Sequence, residues 1–183
     1  SCPCVIKVSN KSKKTITILG KKILKPTEIN VPNDPSSAAF FTALTLLNVN
    51  SSLTIKNVGL NPTRTGFYQL LIKQGAKIKF KNKKKNNNEV KGDIIVKSCN
   101  LKPIKADKSY YAIMTDEYPI LFVMAALIKG VSTFKGIGDL ANKESNRITE
   151  MQNILSQINV KSKFTNGELK IFGRGMVNVS GKV

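Results

Sequence analysis

The sequence predicts an α/β fold of the α+β kind, built from repeated βαβαββ units with the helices buried inside and the sheets facing outward. Three observations predict it. One order of strand-like and helix-like segments occurs twice. The first helix of each copy is apolar on nearly all sides. The strands alternate apolar and polar residues, so each sheet keeps one wet face, the reverse of a doubly wound sheet. With 183 residues, 41% of them hydrophobic, the chain has room for one large domain or two small ones with a real core.

Val5 to Val8 and Thr15 to Leu19 read as a hairpin around Asn10-Lys11-Ser12-Lys13, and Lys25-Pro26-Thr27 as a short linker. The first copy opens with a strand at Glu28 to Val31. A helix follows from Ser36 to about Leu47. Asp34 suits its N-cap, and Pro35 stands at the first helical position, where a missing N–H costs nothing. Ala38, Ala39, Phe40, Phe41, Ala43, Leu44, Leu46 and Leu47 leave almost no polar face, so burial on most sides is expected. Ser52 to Val58 alternates as a strand. A second helix, about Thr65 to Gln74, puts Phe67, Leu70 and Leu71 on one stripe and ends at Gly75. Strands follow at Ala76 to Phe80 and Gly92 to Ser98.

The second copy runs the same way. A strand at Lys102 to Ala106 leads to Asp116-Glu117-Tyr118-Pro119 and an apolar helix to about Ile128, closed by Gly130. Ser132 to Ile137 is a strand. A helix from about Lys143 to Ile158 aligns Ile148, Met151, Leu155 and Ile158, and strands follow at Val160 to Phe164 and Glu168 to Phe172. Thr54, Lys56, Val58 and Gly59 match Thr133, Lys135, Ile137 and Gly138 at an offset of 79, and Ala76 to Phe80 resembles Val160 to Phe164 at an offset of 84. The expected organisation is a hairpin over 1–24, left from a preceding domain. A partial domain over 25–183 follows, with one unit at 25–101, a second at 102–176 and the start of a further strand at 177–183.

Composition narrows the chemistry. There is no His, so no Ser-His-Asp or Cys-His nucleophile system and no His-ligated zinc can form within the chain, and three Cys cannot build a four-thiolate site. Acid-base work falls to Asp, Glu, Lys, Tyr or Cys. Three Cys without paired spacing suit reduced thiols in a reducing compartment, hence a cytoplasmic protein. No apolar run approaches a membrane span. The net charge of +19 suits anionic partners. Its densest run, Lys81 to Asn88, reads as a solvated loop between strands without interleaved aromatics to stack bases.

Polar residues gather at the helix N-termini, where free N–H groups and partial positive charge favour anions. Asp34 with Ser36 and Ser37 opens the first helix, Asn61-Pro62-Thr63-Arg64-Thr65-Gly66 the second and Asp116-Glu117 the third. Asn142-Lys143-Glu144-Ser145-Asn146-Arg147 opens the fourth. Lys143 and Arg147, four apart, are expected on one helix face, a like-charge pair that an anionic ligand would relieve.

At these residues the sequence resembles the EPSP synthase (3-phosphoshikimate 1-carboxyvinyltransferase) family. The motifs that carry the resemblance are Val31-Pro32-Asn33-Asp34-Pro35-Ser36-Ser37-Ala38-Ala39-Phe40, Asn61 to Gly66, Asp116 to Leu121 and Lys143 to Arg147. The resemblance implies an enolpyruvyl transferase-like fold of three βαβαββ units per domain, of which this chain would hold two. It implies enolpyruvyl transfer from phosphoenolpyruvate to the 5-hydroxyl of shikimate 3-phosphate through a tetrahedral intermediate, with no metal or organic cofactor. Asp116 would accept the hydroxyl proton and Glu144 would protonate the methylene. Lys143 would contact shikimate 3-phosphate, and Arg147 would bind phosphoenolpyruvate. Asp139 and Asn146 depart from the usual residues beside this motif. The rest of the same enzyme is the expected partner, and the isolated chain is expected to be inactive and to self-associate through unpaired surface.

Two alternatives are set against this reading. A transferase acting on UDP-N-acetylglucosamine would share fold and chemistry but lacks the Lys143-Glu144-Ser145-Asn146-Arg147 pattern. A basic RNA-binding module would need aromatics on the outward strand faces, for which Phe80 and Phe164 are the candidates.

Overall fold

The computed structural model describes residues 6–9, 15–18, 26, 28–86, 89–142 and 145–175. The chain divides into two compact units, Ser1–Val31 and Pro32–Val183. The first holds the expected hairpin, β1 (Ile6–Ser9) antiparallel to β2 (Thr15–Ile18), with Ser9 opposite Thr15. The turn at 10–13, most of the linker at 25–27 and the further strand at 177–183 lie outside the described residues.

In the second unit the first copy comprises α1 (Pro35–Leu47), β3 (Ser52–Gly59), α2 (Gly66–Lys73), β4 (Ile78–Asn86) and β5 (Glu89–Lys97). The second comprises β6 (Lys105–Ala106), α3 (Tyr118–Leu127), β7 (Gly130–Lys135), α4 (Arg147–Gln157), β8 (Lys161–Thr165) and β9 (Glu168–Gly173). The sheets run β3-β5-β4 and β6-β7-β9-β8. β6 lies parallel to β7, and the other pairings in both sheets are antiparallel.

The expected strand at Glu28 to Val31 does not form. The first copy keeps one parallel bridge in its place, Asn33 to Val58, beside β3 as β6 lies beside β7. Pro32 has no N–H to donate and Pro35 already starts α1, so only Asn33 is free to pair. It uses its backbone twice, its N–H to Asn57 O at 2.8 Å and its carbonyl from Gly59 N at 2.9 Å. β6 is likewise shorter than expected: Pro103 lacks a donor, and the Ile104 N–H goes to Ser132 Oγ at 2.9 Å.

The helices occupy the middle. α1 packs against α3, and the two sheets cover them from outside, with β3 and β5 against α1 and β9 against α3. Strand alternation follows: Leu169 and Ile171 of β9 are buried while Lys170 and Phe172 are exposed. α1 corrects the expectation of burial on most sides. Ala38, Ala39, Thr42, Ala43 and Leu46 are buried, but Phe40, Phe41 and Leu44 are each more than half exposed.

Two close approaches require glycine. A Cβ on Gly173 would collide with the carbonyl oxygens of Ala125 and Ile128, so β9 lies directly on the end of α3. A Cβ on Gly66 would stand 2.7 Å from the Ile113 carbonyl oxygen, where the start of α2 meets the second copy.

The lysine run is exposed as expected, but Lys81 to Asn86 is strand rather than loop, because it pairs with Glu89 to Asp93 across the hairpin. Both long pairings carry a bulge, at Ile55/Val58 and at Lys81/Lys84, each with an asparagine at positive φ, Asn57 (54°) and Asn82 (51°). Asp93 serves both: Oδ1 accepts from Asn57 N at 3.0 Å and Oδ2 from Asn82 Nδ2 at 2.7 Å. The Asn82 side-chain bond, with the Asn57 amide second, holds the Asp93 carboxyl below its usual range.

Candidate active site

The N-terminus of α1 is built by its cap. Asp34 has extended backbone and accepts from Ser37 N at 2.8 Å and Ser37 Oγ at 3.0 Å, while Pro35 starts the helix. Partial burial works against its charge. The Ser37 and Ser36 bonds and the Arg64 guanidinium outweigh this and hold the Asp34 carboxyl below its ordinary range.

A 3₁₀ turn over Pro62–Arg64 precedes α2. Asn61 Oδ1 closes it by accepting from Thr63 N at 3.2 Å and Thr63 Oγ1 at 3.1 Å. The turn carries Arg64 to α1, where Nη2 stands 3.3 Å from Asp34 Oδ1 and 3.0 Å from Ser36 Oγ.

Ahead of α3 lie 3₁₀ turns at Lys108–Ile113 and Thr115–Glu117. Thr115 Oγ1 donates to Tyr111 O at 2.7 Å, and Glu117 N to Met114 O at 3.1 Å. This backbone sends two consecutive acids in opposite directions. Asp116 is exposed; Glu117 is 3% exposed and accepts from Ser36 Oγ at 2.6 Å. Burial pushes the Glu117 carboxyl above its usual range, against the pull of the Ser36 bond.

α4 starts at Arg147, with Asn146 as N-cap accepting from Thr149 N at 3.1 Å. Ser145 and Asn146 are not helical, so Arg147 is the first residue of the helix and not one turn inside it, contrary to the expected start near Lys143. Asn146 explains the difference: its side chain competes for the backbone and stops the helix from extending backwards. Arg147 Nη1 lies 3.7 Å from Asp116 Oδ1.

Of the four sequence-predicted site residues, the structure brings together Asp116 and Arg147. Lys143 and Glu144 lie outside the described residues. Asp139 is exposed in the 3₁₀ turn Gly138–Asn142. Glu117, Ser36, Arg64 and Asp34 form a second polar group that the sequence reading did not single out as a site. The repeat holds the signal for part of it. Asp34 precedes Asp116 by 82 positions and Arg64 precedes Arg147 by 83, within the 79 to 84 spacing of the two copies. Each copy therefore places an Asp before its first helix against an Arg at the entry to its second, just ahead of α2 for Arg64 and on the first residue of α4 for Arg147. Chemically, each arrangement holds a guanidinium at one end of the helix layer, where an incoming carboxylate or phosphate can take over from the Asp.

The EPSP synthase (3-phosphoshikimate 1-carboxyvinyltransferase) family profile matches residues 4–180. The 3-phosphoshikimate 1-carboxyvinyltransferase of Zymomonas mobilis is 42% identical over 151 residues, covering 82% of this chain and 33% of the relative. That of Aquifex aeolicus is 40% identical over 158 residues, covering 86% and 37%. Among solved structures, the EPSP synthase of Acinetobacter baumannii superposes with a TM-score of 0.83 at 33% identity, over 93% of this chain and 38% of that one. The enolpyruvyl transferase NikO of Streptomyces tendae, at 13% identity and a TM-score of 0.61, shares the fold. The chain thus spans 33% to 38% of the length of these relatives. By profile, identity and architecture, the chain belongs to the EPSP synthase family.

Proposed function

We propose that the chain supplies part of an EPSP synthase active site, for transfer of the enolpyruvyl group of phosphoenolpyruvate to the 5-hydroxyl of shikimate 3-phosphate. The observation that carries the reading is the Asp116–Arg147 pair, which joins two motifs 31 positions apart at one end of the helix layer. In this reading the 5-hydroxyl oxygen bonds to C2 of phosphoenolpyruvate as its proton passes to Asp116, and the methylene carbon gains a proton. The tetrahedral intermediate then loses a methyl proton and inorganic phosphate, which restores the double bond. Arg147 binds the phosphoenolpyruvate anion, which replaces Asp116 as its partner and leaves that carboxylate open to the hydroxyl. The family motif assigns the methylene proton to Glu144 and a phosphate contact to Lys143.

The remaining part of the enzyme completes the cleft, so the isolated chain binds without turnover in a cytoplasmic setting. Two facts favour this over the alternatives. The closely matching relatives act, by name, on 3-phosphoshikimate. Phe80 and Phe164, the candidate stacking aromatics, are partly buried against the core. Calorimetry of the chain with phosphoenolpyruvate and shikimate 3-phosphate tests the reading. Binding that falls at least tenfold in Arg147→Ala, the scale of a lost charge-assisted pair, is expected. Equal binding by the variant removes Arg147 from the site, and turnover by the isolated chain refutes its incompleteness.

A further inference from the structure

We propose that Glu117 is a positioning residue for Asp116, acting through Ser36 and Arg64. The proposal rests on the reading of Asp116 as the proton acceptor. Its basis is the direction of each hydrogen bond. A serine hydroxyl has one proton to give and two lone pairs to receive with. Arg64 Nη2 donates to Ser36 Oγ at 3.0 Å, and the Ser36 proton goes to Glu117 Oε1 at 2.6 Å. Asp34 holds Arg64 in turn at 3.3 Å. Asp34, Arg64 and Ser36 belong to the first copy, and Glu117 to the second.

Glu117 is the one buried charged side chain among the described residues; its partner at hydrogen-bond distance is the neutral Ser36 hydroxyl, and the Arg64 charge reaches it from beyond that hydroxyl. A carboxylate in that position is costly, and an apolar residue of its size would pack there at lower cost. What the acid adds is orientation. Asp116 and Glu117 share the short turn Thr115–Glu117, so pinning the second side chain inward fixes the rotation of that turn and holds the first outward, toward Arg147. The copy whose Asp–Arg pair is Asp34–Arg64 thereby sets the geometry of the copy whose pair is Asp116–Arg147.

The test uses the ¹⁵N-labelled chain and reads the Nε–Hε cross-peak of Arg147, with core methyl signals as the control for folding. Asp116→Ala supplies the position of the unpaired guanidinium. Glu117→Ala and Ser36→Ala should shift the peak to that position. Glu117→Gln, which keeps an acceptor oxygen for Ser36, should leave it at the wild-type position. The proposal is overturned if the peak stays in place in folded Glu117→Ala or Ser36→Ala, or if the Gln variant moves it as far as Ala does. Should Glu117→Ala fail to fold, Ser36→Ala, at the half-buried start of α1, decides alone. A wild-type chain that binds no phosphoenolpyruvate overturns the functional reading instead, and the cross-peak comparison still decides on Glu117.

Discussion

Asp116 and Arg147 face each other at 3.7 Å, the first on the turn before α3 and the second on the opening residue of α4. Asp116 is exposed and Arg147 half-buried, so the pair is a ready exchange point and not a fastening. Exposed ion pairs contribute about 0 to 1 kcal/mol. Asp116→Ala should therefore leave the urea midpoint of unfolding close to wild type. A loss well beyond about 1 kcal/mol would give the pair a structural task instead.

The two acids in the polar network should respond to pH with opposite sign. Glu117 binds its proton more tightly when folded, because burial penalises the charged form. Its stabilising effect is complete at pH below the usual Glu range and is lost as pH rises through its higher folded value. Glu117→Gln should gain stability relative to wild type on going from about pH 4 to about pH 8. Asp34 behaves in reverse: its effect is present above the usual Asp range and fades as pH falls through its lower folded value. Asp34→Ala should cost about 1 kcal/mol at neutral pH, and the gap should narrow in acid. Denaturant titrations of wild type and both variants across that range read out both signs.

Gly173→Ala should be among the most damaging single changes in the second unit. The added methyl would meet the carbonyl oxygens of Ala125 and Ile128, which are backbone and cannot turn aside. Overpacking of this kind costs about 1 to 3 kcal/mol, occasionally more. Thermal melts of Gly173→Ala beside Gly138→Ala, where a Cβ meets nothing within 4 Å, separate the clash from the general effect of adding a methyl.

Phe40, Phe41 and Leu44 give α1 an exposed apolar flank. A patch of this kind on an isolated chain drives association with a second copy. Sedimentation velocity should show a mass that rises with concentration, and Leu44→Lys should reduce that rise. A strictly monomeric profile for wild type would end this expectation.

Much of this architecture was legible before any coordinates. The repeat placed the pairs of helices, and Asp34-Pro35 and Gly75 marked helix ends by rules that act over a few residues. Asp116 and Arg147 could be named because each stands in a motif at a helix start. What stayed hidden depended on distant partners. Nothing local says which of two consecutive acids turns inward; Ser36, 81 positions away, decides it for Glu117. The Lys81 to Asn86 run has no apolar period, and only its pairing with Glu89 to Asp93 makes it strand. The apolar surround of α1 could not reveal which flank would find a neighbour. The fourth helix starts later than its apolar period suggests because Asn146 caps it at Arg147.

The grip of Asp93 on Asn57 and Asn82 has a consequence for how this surface can change over time. Two bends, in the strands on either side of β5, share one anchor, so the course of the lysine-rich ribbon is set at its base. The Lys83 ammonium lies over the Phe80 ring at 5.2 Å, while Lys84 and Lys85, farther out, are exposed and free to drift in identity. Substitutions there should be silent, whereas loss of the single carboxylate would release both curves at once.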